Sequence, residues 1–350
     1  MTEPLRIAIV GATGYTGAEL VRILLAHPHA TLVAAVGRSN VGHALADALP
    51  SLRGAIDLPI EAFDAAALAQ RADAVFCALP HAQSAPIVDE LRRHGLVVLD
   101  LSADFRLRDQ SVYEQWYGPH AAPERLSEAV YGLVELSREA LSTADLVAVP
   151  GCYPTASILA AAPLLRAGLV SPEGLIIDAK SGVSGAGRSP SPSTHLAECA
   201  GGIRAYKVGG LHRHIPEIEA ALGQVAAVPV RVTFTPHLVP MTRGILATVY
   251  ATAVHAGVDA QTCTEAARAL YAGSPSVVVL DAGQNPDTLA VRGSNRAHLS
   301  YTVDSRTGRV IAQAAIDNLV KGAAGQAVQC LNVRFGLPEG AGLPAVAVWP

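Results

Sequence analysis

Five cysteines are scattered through the chain, and one stands where a thiol can act as a nucleophile. The apolar run 146–149 reads as a strand. Gly151-Cys152-Tyr153-Pro154-Thr155 follows it, and 156–167 has the pattern of a helix, with Pro154 suited to the first turn. Cys152 is therefore expected at a helix N-terminus. The dipole there lowers a thiol pKa and enriches the thiolate, the reactive form. Cys77 lies in an apolar strand and reads as a small core residue. Cys199, Cys263 and Cys330 read as structural.

A thiolate that works on a carbonyl needs a group to move protons. Gly210-Leu-His212-Arg213-His214-Ile-Pro216-Glu217 sets two histidines and an arginine in a turn ahead of a helix at 217–222. We take His212 as the acid/base, with His214 as the alternative and a substrate contact. A third cluster points to a cofactor. Gly11, Thr13, Gly14, Tyr15, Thr16 and Gly17 lie in one loop between the first apolar run and the first helical pattern. Glycines there let a backbone approach a pyrophosphate at a helix N-terminus.

The second strand runs into Gly37-Arg38-Ser39-Asn40. An NAD site ordinarily carries a carboxylate there for the ribose 2′-hydroxyl. Arg38 and Ser39 can instead grip a 2′-phosphate, which favours NADP; an ordinary surface arginine is the competing reading. A thiolate beside a nicotinamide implies acyl chemistry. Sulfur displaces a leaving group from a carbonyl, the thioester accepts hydride, and the adduct collapses to an aldehyde.

These residues need elements to hold them. Short apolar runs at 5–10, 31–36, 74–79, 96–101 and 146–149 alternate with helical segments such as 18–26 and 85–93. That alternation predicts a Rossmann-type, doubly wound parallel sheet over 1–152. After Pro154 come longer or β-branched segments at 175–179, 230–237, 244–254 and 277–280. The pair 299–303 and 309–315 flanks a turn at 304–308, a hairpin signal. This predicts an α+β domain over 153–316. Residues 317–350 read as a C-terminal helix (317–331) and tail that could return to the first domain.

Half of the 350 residues are hydrophobic, 16% are charged, and the net charge is −4. That is a compact α/β composition, and the net charge gives no case for nucleic acid, which needs a basic face. No run is long enough to cross a bilayer, and the first residues leave no room for a signal peptide. An odd number of dispersed cysteines favours neither disulfides nor a metal site, and fits reduced thiols in the cytoplasm.

Taken together, the motifs resemble those of the N-acetyl-γ-glutamyl-phosphate reductases of the long-chain bacterial type. The likeness runs through Gly11 to Gly17, Arg38 to Gly42, Leu79-Pro-His81, Leu101-Ser-Ala-Asp-Phe-Arg106 and Gly151 to Thr155. It continues through Lys180 to Arg188, His212 to Glu217, Val239-Pro-Met-Thr-Arg-Gly244 and Asp317 to Gln326. The resemblance implies a substrate domain of the glyceraldehyde-phosphate and aspartate-semialdehyde dehydrogenase type. It also implies an N-acetyl-γ-glutamyl phosphate substrate, NADPH as hydride donor, arginine biosynthesis, and a cytoplasmic homo-oligomer, dimer or tetramer. It gives Cys152 the nucleophile's role and His212 that of the base. Arg106 becomes a phosphate-binding residue, against the alternative of a salt bridge to Asp104. Ser181 and Gly182 become part of the cofactor and substrate loop, and Asn318 the residue that meets the nicotinamide. Two positions depart from the pattern: Val134, where proline is common, and Arg296, an unusual basic residue.

Three other readings compete. Aspartate-semialdehyde dehydrogenase does the same chemistry on a shorter acyl phosphate, but the His-Arg-His-Ile-Pro-Glu segment argues against it. A reductase for a carrier-linked aminoadipyl phosphate is a second. A dinucleotide-sensing regulator with an inert cysteine is a third; it would need a DNA- or partner-binding segment, and the sequence has no helix-turn-helix or basic cluster.

Overall fold

The structure, a computed structural model, describes residues 3–350. Contacts divide it into two compact units. The first is the chain up to Gly151 together with Ala323–Pro344, and the second is Cys152–Gly322 together with Ala345–Pro350.

In the first unit seven strands form one sheet. They are β1 (Leu5–Val10), β2 (Ala30–Val36), β3 (Ile60–Glu61), β4 (Ala74–Cys77), β5 (Val97–Asp100), β6 (Val130–Tyr131) and β7 (Leu146–Ala148). Their order is β3-β2-β1-β4-β5-β7-β6, and every pairing is parallel. A parallel sheet is buried on both faces, so its strands read as continuous apolar runs rather than alternating ones. Ile7, Ile9, Val75, Phe76, Val98 and Leu99 are all fully buried. The chain reverses direction across the sheet between β1 and β4. In such folds that crevice, outside the strands' carboxyl ends, is where ligands bind. The helix Gly325–Arg334 packs on Tyr15–Leu25, Val134–Leu141 and β5. Arg334 pairs with Asp145 at 2.7 Å, and Gln326 donates to the Gly132 carbonyl at 2.8 Å.

The second unit is a mixed sheet of β8 (Leu175–Gly182), β9 (Arg204–Ala205), β10 (Val232–Val239), β11 (Ile245–Thr252), β12 (Val277–Val279), β13 (Ala297–Asp304) and β14 (Arg309–Ile316). The order is β12-β13-β14-β11-β8-β10-β9. β13 and β14 form the expected hairpin, closed by Gly308 N donating to the Asp304 carbonyl at 2.9 Å. The helices Cys152–Arg166, Ile215–Ala226 and Ala260–Leu270 pack together with the strands. The first is apolar almost all round, and every residue from Tyr153 to Leu165 is buried.

Several elements differ from the sequence expectation. The helix expected from 156 begins at Cys152, because Pro154 sits in its first turn and costs no helix hydrogen bond there. The single helix expected at 317–331 is broken into a π turn, Val320–Ala324, and the α-helix Gly325–Arg334. The Asp317 side chain accepts from the N–H groups of Leu319 and Val320, and Gly322 N reaches back to the Asp317 carbonyl at 2.9 Å. That local bonding competes with a regular first turn. Among the described residues, no helix is long and apolar enough to cross a membrane.

Candidate active site

The glycine loop of the first unit answers three separate demands. Gly11 ends β1 at φ +92°, and a Cβ there would lie 2.4 Å from the Ala78 carbonyl oxygen. Gly17, in the first turn of Tyr15–Leu25, would carry a Cβ only 2.3 Å from the Gly11 oxygen, so helix and loop touch through backbone. Gly14 is different. The nearest atom to its Cβ would be 3.7 Å away, an ordinary contact, so the chain itself leaves room for a side chain. A dinucleotide supplies the missing reason. Such loops use one glycine for the turn, one for close approach to the pyrophosphate, and one for helix packing. Gly14 is also the N-cap, no side chain caps the helix, and its first turn holds no acid. The helix start thus keeps its positive end for an anion. Thr13 and Thr16 are half-buried beside it, and Tyr15 is exposed.

β2 delivers Arg38 to the wall of a cleft of about 250 Å³, and Ser39 follows it; both are exposed. Val10, Gly11, Val36, Gly37, Arg38 and Phe63 are among its lining residues. The residues present fit a dinucleotide: a glycine cradle, an apolar slot wide enough for a base, and a guanidinium on the cleft wall. Arg106 belongs to the same unit. It is buried, and donates from Nε to the Val149 carbonyl at 2.8 Å and from one terminal nitrogen to the Leu101 carbonyl at 2.7 Å. Asp104, its sequence neighbour, accepts from the N–H groups of Ala82, Ser84 and Ala85 and from the Tyr113 hydroxyl.

The thiol cluster lies in the second unit. Cys152 is the first residue of its helix and is partly exposed, whereas Cys77 is fully buried and its thiol is pushed up by that burial. Gly322 makes room for Cys152; a Cβ on the glycine would fall 2.8 Å from the cysteine Cβ. The next residue, Tyr153, is the centre of an aromatic group. Its ring meets His212, His214 and Phe234 edge-on at 5.6, 5.9 and 5.3 Å between centroids. Tyr206 donates from its hydroxyl to that of Tyr153 at 3.1 Å, and Tyr153 donates to the His237 carbonyl at 3.2 Å. Burial pushes the Tyr206 hydroxyl up to about 12, and the charge of Cys152 adds to the rise.

His212 is buried among Tyr153, Tyr206, Phe234 and His214. Burial, with the charges of Lys207 and Arg213, holds its pKa down at about 4. Its Nδ1 accepts from the His214 backbone N–H at 3.1 Å. The neutral ring therefore carries its proton on Nε2. In that tautomer Nε2–H can act as a hydrogen-bond donor, since Nδ1 is the accepting nitrogen.

Ser181 and Gly182 close β8, both buried. A Cβ on Gly182 would sit 2.9 Å from the backbone of Met241 and Arg243, so the two loops are in main-chain contact. Asn318 joins them. Its Oδ1 accepts from Gly244 N at 2.7 Å and its Nδ2 donates to Ser184 Oγ at 2.9 Å. Arg296 donates from Nε to the Ala345 carbonyl, so this unusual residue fastens the C-terminal tail. The structure thus sets His212 and His214 against each other and against Tyr153, the residue next to Cys152, and groups Ser181, Gly182 and Asn318 on a separate pair of loops. Tyr153, Tyr206 and Gly322 were not singled out from sequence. Tyr153 could have been found from its place beside Cys152. Tyr206 offered no local signal.

Comparison with known proteins adds family evidence. Residues 6–144 match the model of the semialdehyde dehydrogenase NAD-binding domain, and residues 152–318 that of the semialdehyde dehydrogenase dimerisation domain. An N-acetyl-γ-glutamyl-phosphate reductase of Desulforudis audaxviator is 53% identical over 99% of this chain and 100% of its own length. One from a Geobacter species is 49% identical with the same coverage. Among solved structures, aspartate semialdehyde dehydrogenase II of Vibrio cholerae, crystallised with ASA, has a TM-score of 0.71 at 16% identity. That match covers 95% of this chain and 98% of the other. A probable aspartate-semialdehyde dehydrogenase of Pseudomonas aeruginosa has a TM-score of 0.69 at 21% identity, covering 96% and 100%. These last two establish the shared fold.

Proposed function

The chain belongs to the N-acetyl-γ-glutamyl-phosphate reductase family of semialdehyde dehydrogenases, and on that premise we propose that it reduces N-acetyl-γ-glutamyl phosphate to N-acetylglutamate 5-semialdehyde with NADPH. The observation that carries the reading is Cys152 at the head of a buried helix, inside a cluster that holds His212 neutral. The aspartate reading has only a shared fold behind it, whereas the acetylglutamyl reading has relatives near half identity over the whole chain.

In this scheme the Cys152 thiolate attacks the acyl carbonyl and phosphate leaves, giving a thioester on the cysteine. The nicotinamide, when bound, supplies a hydride. The reduced adduct on Cys152 then breaks its carbon–sulfur bond, releasing the aldehyde and restoring the thiolate. Both additions place negative charge on the former carbonyl oxygen. Nε2–H of His212 is the donor we assign to it; a preorganised donor acts strongly in a water-poor site. His214, whose backbone N–H fixes the His212 ring, is assigned to the substrate. Arg106 is assigned to the phosphate. Its guanidinium is held in direction by two carbonyls, one of them only three residues before Cys152 in the chain. Ser181, Gly182 and Asn318 are assigned to shaping the loop that meets the cofactor and substrate. Gly11, Thr13, Gly14, Tyr15, Thr16 and Gly17 are assigned to the pyrophosphate. Arg38 and Ser39 are assigned to the 2′-phosphate, which makes NADP the cofactor.

The chain is further assigned to arginine biosynthesis in the cytoplasm, as a homo-oligomer assembled through the second unit. Reverse turnover tests the central reading. The protein would receive NADP⁺, phosphate and either N-acetylglutamate semialdehyde or aspartate semialdehyde, and absorbance of the reduced nicotinamide would be followed. Preference for the acetylated aldehyde is expected. Preference for the aspartate compound would replace the proposed substrate.

A further inference from the structure

Arg38 stands exposed at the wall of the cleft, on a long side chain that an isolated surface arginine would let wander. It is not isolated. Its NH1 donates to Oε1 of Gln83 at 2.7 Å, across 45 residues of sequence. Gln83 rides on the turn after β4, and that turn is unusually well held. Ala82 has φ +60°, a left-handed conformation that costs an alanine energy. Asp104 holds it there, accepting from Ala82 N at 2.7 Å and from Ser84 N and Ala85 N at 3.0 Å each. From the other side, His81 Nδ1 accepts from Ala103 N at 3.0 Å. Gln83 N closes the turn on the Pro80 carbonyl at 3.2 Å.

Resting on the assignment of Arg38 to the ribose phosphate, we propose that Gln83 is a positioning residue for cofactor choice. It holds the Arg38 guanidinium toward the 2′-phosphate of NADPH. The choice of residue matters. A glutamine oxygen accepts one N–H bond without neutralising the arginine, whereas a carboxylate would hold the arginine and repel the phosphate. The bond occupies one terminal nitrogen of a five-donor fork, and a fork already held at one tine loses less freedom when it binds.

The experiment is a titration of NADPH and NADH, by fluorescence at fixed salt, against five proteins: the wild type, Gln83→Leu, Gln83→Glu, Arg38→Ala and the Gln83→Leu/Arg38→Ala double variant. Gln83 is exposed, so each protein should fold, and thermal midpoints check that. A net hydrogen bond is worth about 0.5–1.5 kcal/mol, so Gln83→Leu should weaken NADPH roughly two- to tenfold and leave NADH unchanged. In the Arg38→Ala background the same change should do nothing further. Gln83→Glu should weaken NADPH more than Gln83→Leu does. An unchanged NADPH affinity in Gln83→Leu, or equal losses for both cofactors, would overturn the proposal. So would a loss that persists without Arg38, because Gln83 would then act by direct contact. Failure of the underlying reading looks different: Arg38→Ala itself would weaken both cofactors alike.

Discussion

At the scale of the residue, the chemistry turns on one sulfur and one imidazole. Cys152→Ser should abolish turnover while cofactor titration stays normal. A serine alkoxide is scarcely populated near neutral pH, and an oxygen ester accepts hydride less readily than a thioester. The loss should exceed the ~10²–10⁴-fold typical of a missing general acid or base. A variant with near-normal rate would remove Cys152 from the reaction. His212 makes a pH prediction. Its pKa of about 4 lies below the ~6.5 of an unfolded histidine, with burial as the main cause. Between those values the folded chain binds fewer protons than the unfolded one. This group therefore supports stability above about pH 6.5, and that support is lost as pH falls toward 4. The ring stays neutral throughout ordinary assay conditions. A pH–rate profile should accordingly show no limb near pH 6.5 that disappears in His212→Asn. If such a limb is present and vanishes in the variant, His212 is titrating as a base and the donor role is wrong.

At the scale of the element, what decides function is how strands and helices end. β5 ends on Asp100, wholly buried, with Ser84 and Ser102 donating to its two oxygens at 2.6 Å each. Burial first, and then the charge of Asp104, raise its pKa to about 6, against the opposing pull of those hydroxyls. Here the folded chain binds more protons than the unfolded one between the ordinary aspartate value and about pH 6. The group therefore favours folding below that window, and the advantage is lost as pH rises through about 6. The effect is on the order of 3 kcal/mol. Asp100→Asn removes it, so the stability gap between variant and wild type should swing in the variant's favour from pH 4 to pH 7, read by urea unfolding at each pH. Parallel curves would mean that Asp100 does not titrate there.

Elements also mark the limit of what a sequence shows. The Rossmann crossovers were legible because parallel strands are uninterrupted apolar runs, and the helix at 85–93 appears as the α-helix Ala85–Arg93. The hairpin turn was legible from Asp304 and Gly308. The two-residue strands β3, β6 and β9 were not, since their pairing comes wholly from neighbours distant in sequence. The same holds at the candidate site. Cys152 and His212 carry local patterns, a strand–turn–helix and a histidine pair. Tyr206 reaches Tyr153 only because β9 pairs with the end of β10. Gly322 is needed only because the π turn passes against Cys152.

At the scale of the whole molecule, the sheet of the second unit has two unlike faces. Leu175, Ile177, Ala179, Ala247, Val249 and Ala251 alternate into the core, each almost wholly buried. Their neighbours Ile176, Asp178, Lys180, Leu246 and Tyr250 point the other way and keep partial or full exposure. Ile176 is 38% exposed and pairs across the strands with Tyr250. The charges beside them are matched: Lys180 meets Asp178 at 2.9 Å. An apolar strip with its charges already paired is the kind of surface that a symmetric partner can cover cheaply. The match of this unit to a dimerisation-domain model points the same way. For the proposed homo-oligomer, self-association is expected to use this face. A lysine at its centre would be buried unpaired in the assembly, which is costly, yet it would stay solvated in the free protomer. Ile176→Lys should thus lower the sedimenting mass to that of a single chain at micromolar concentration, with the circular dichroism of the folded state retained. Retention of the wild-type mass would move the interface to another surface, because no close-packed apolar contact at Ile176 could take that charge without loss.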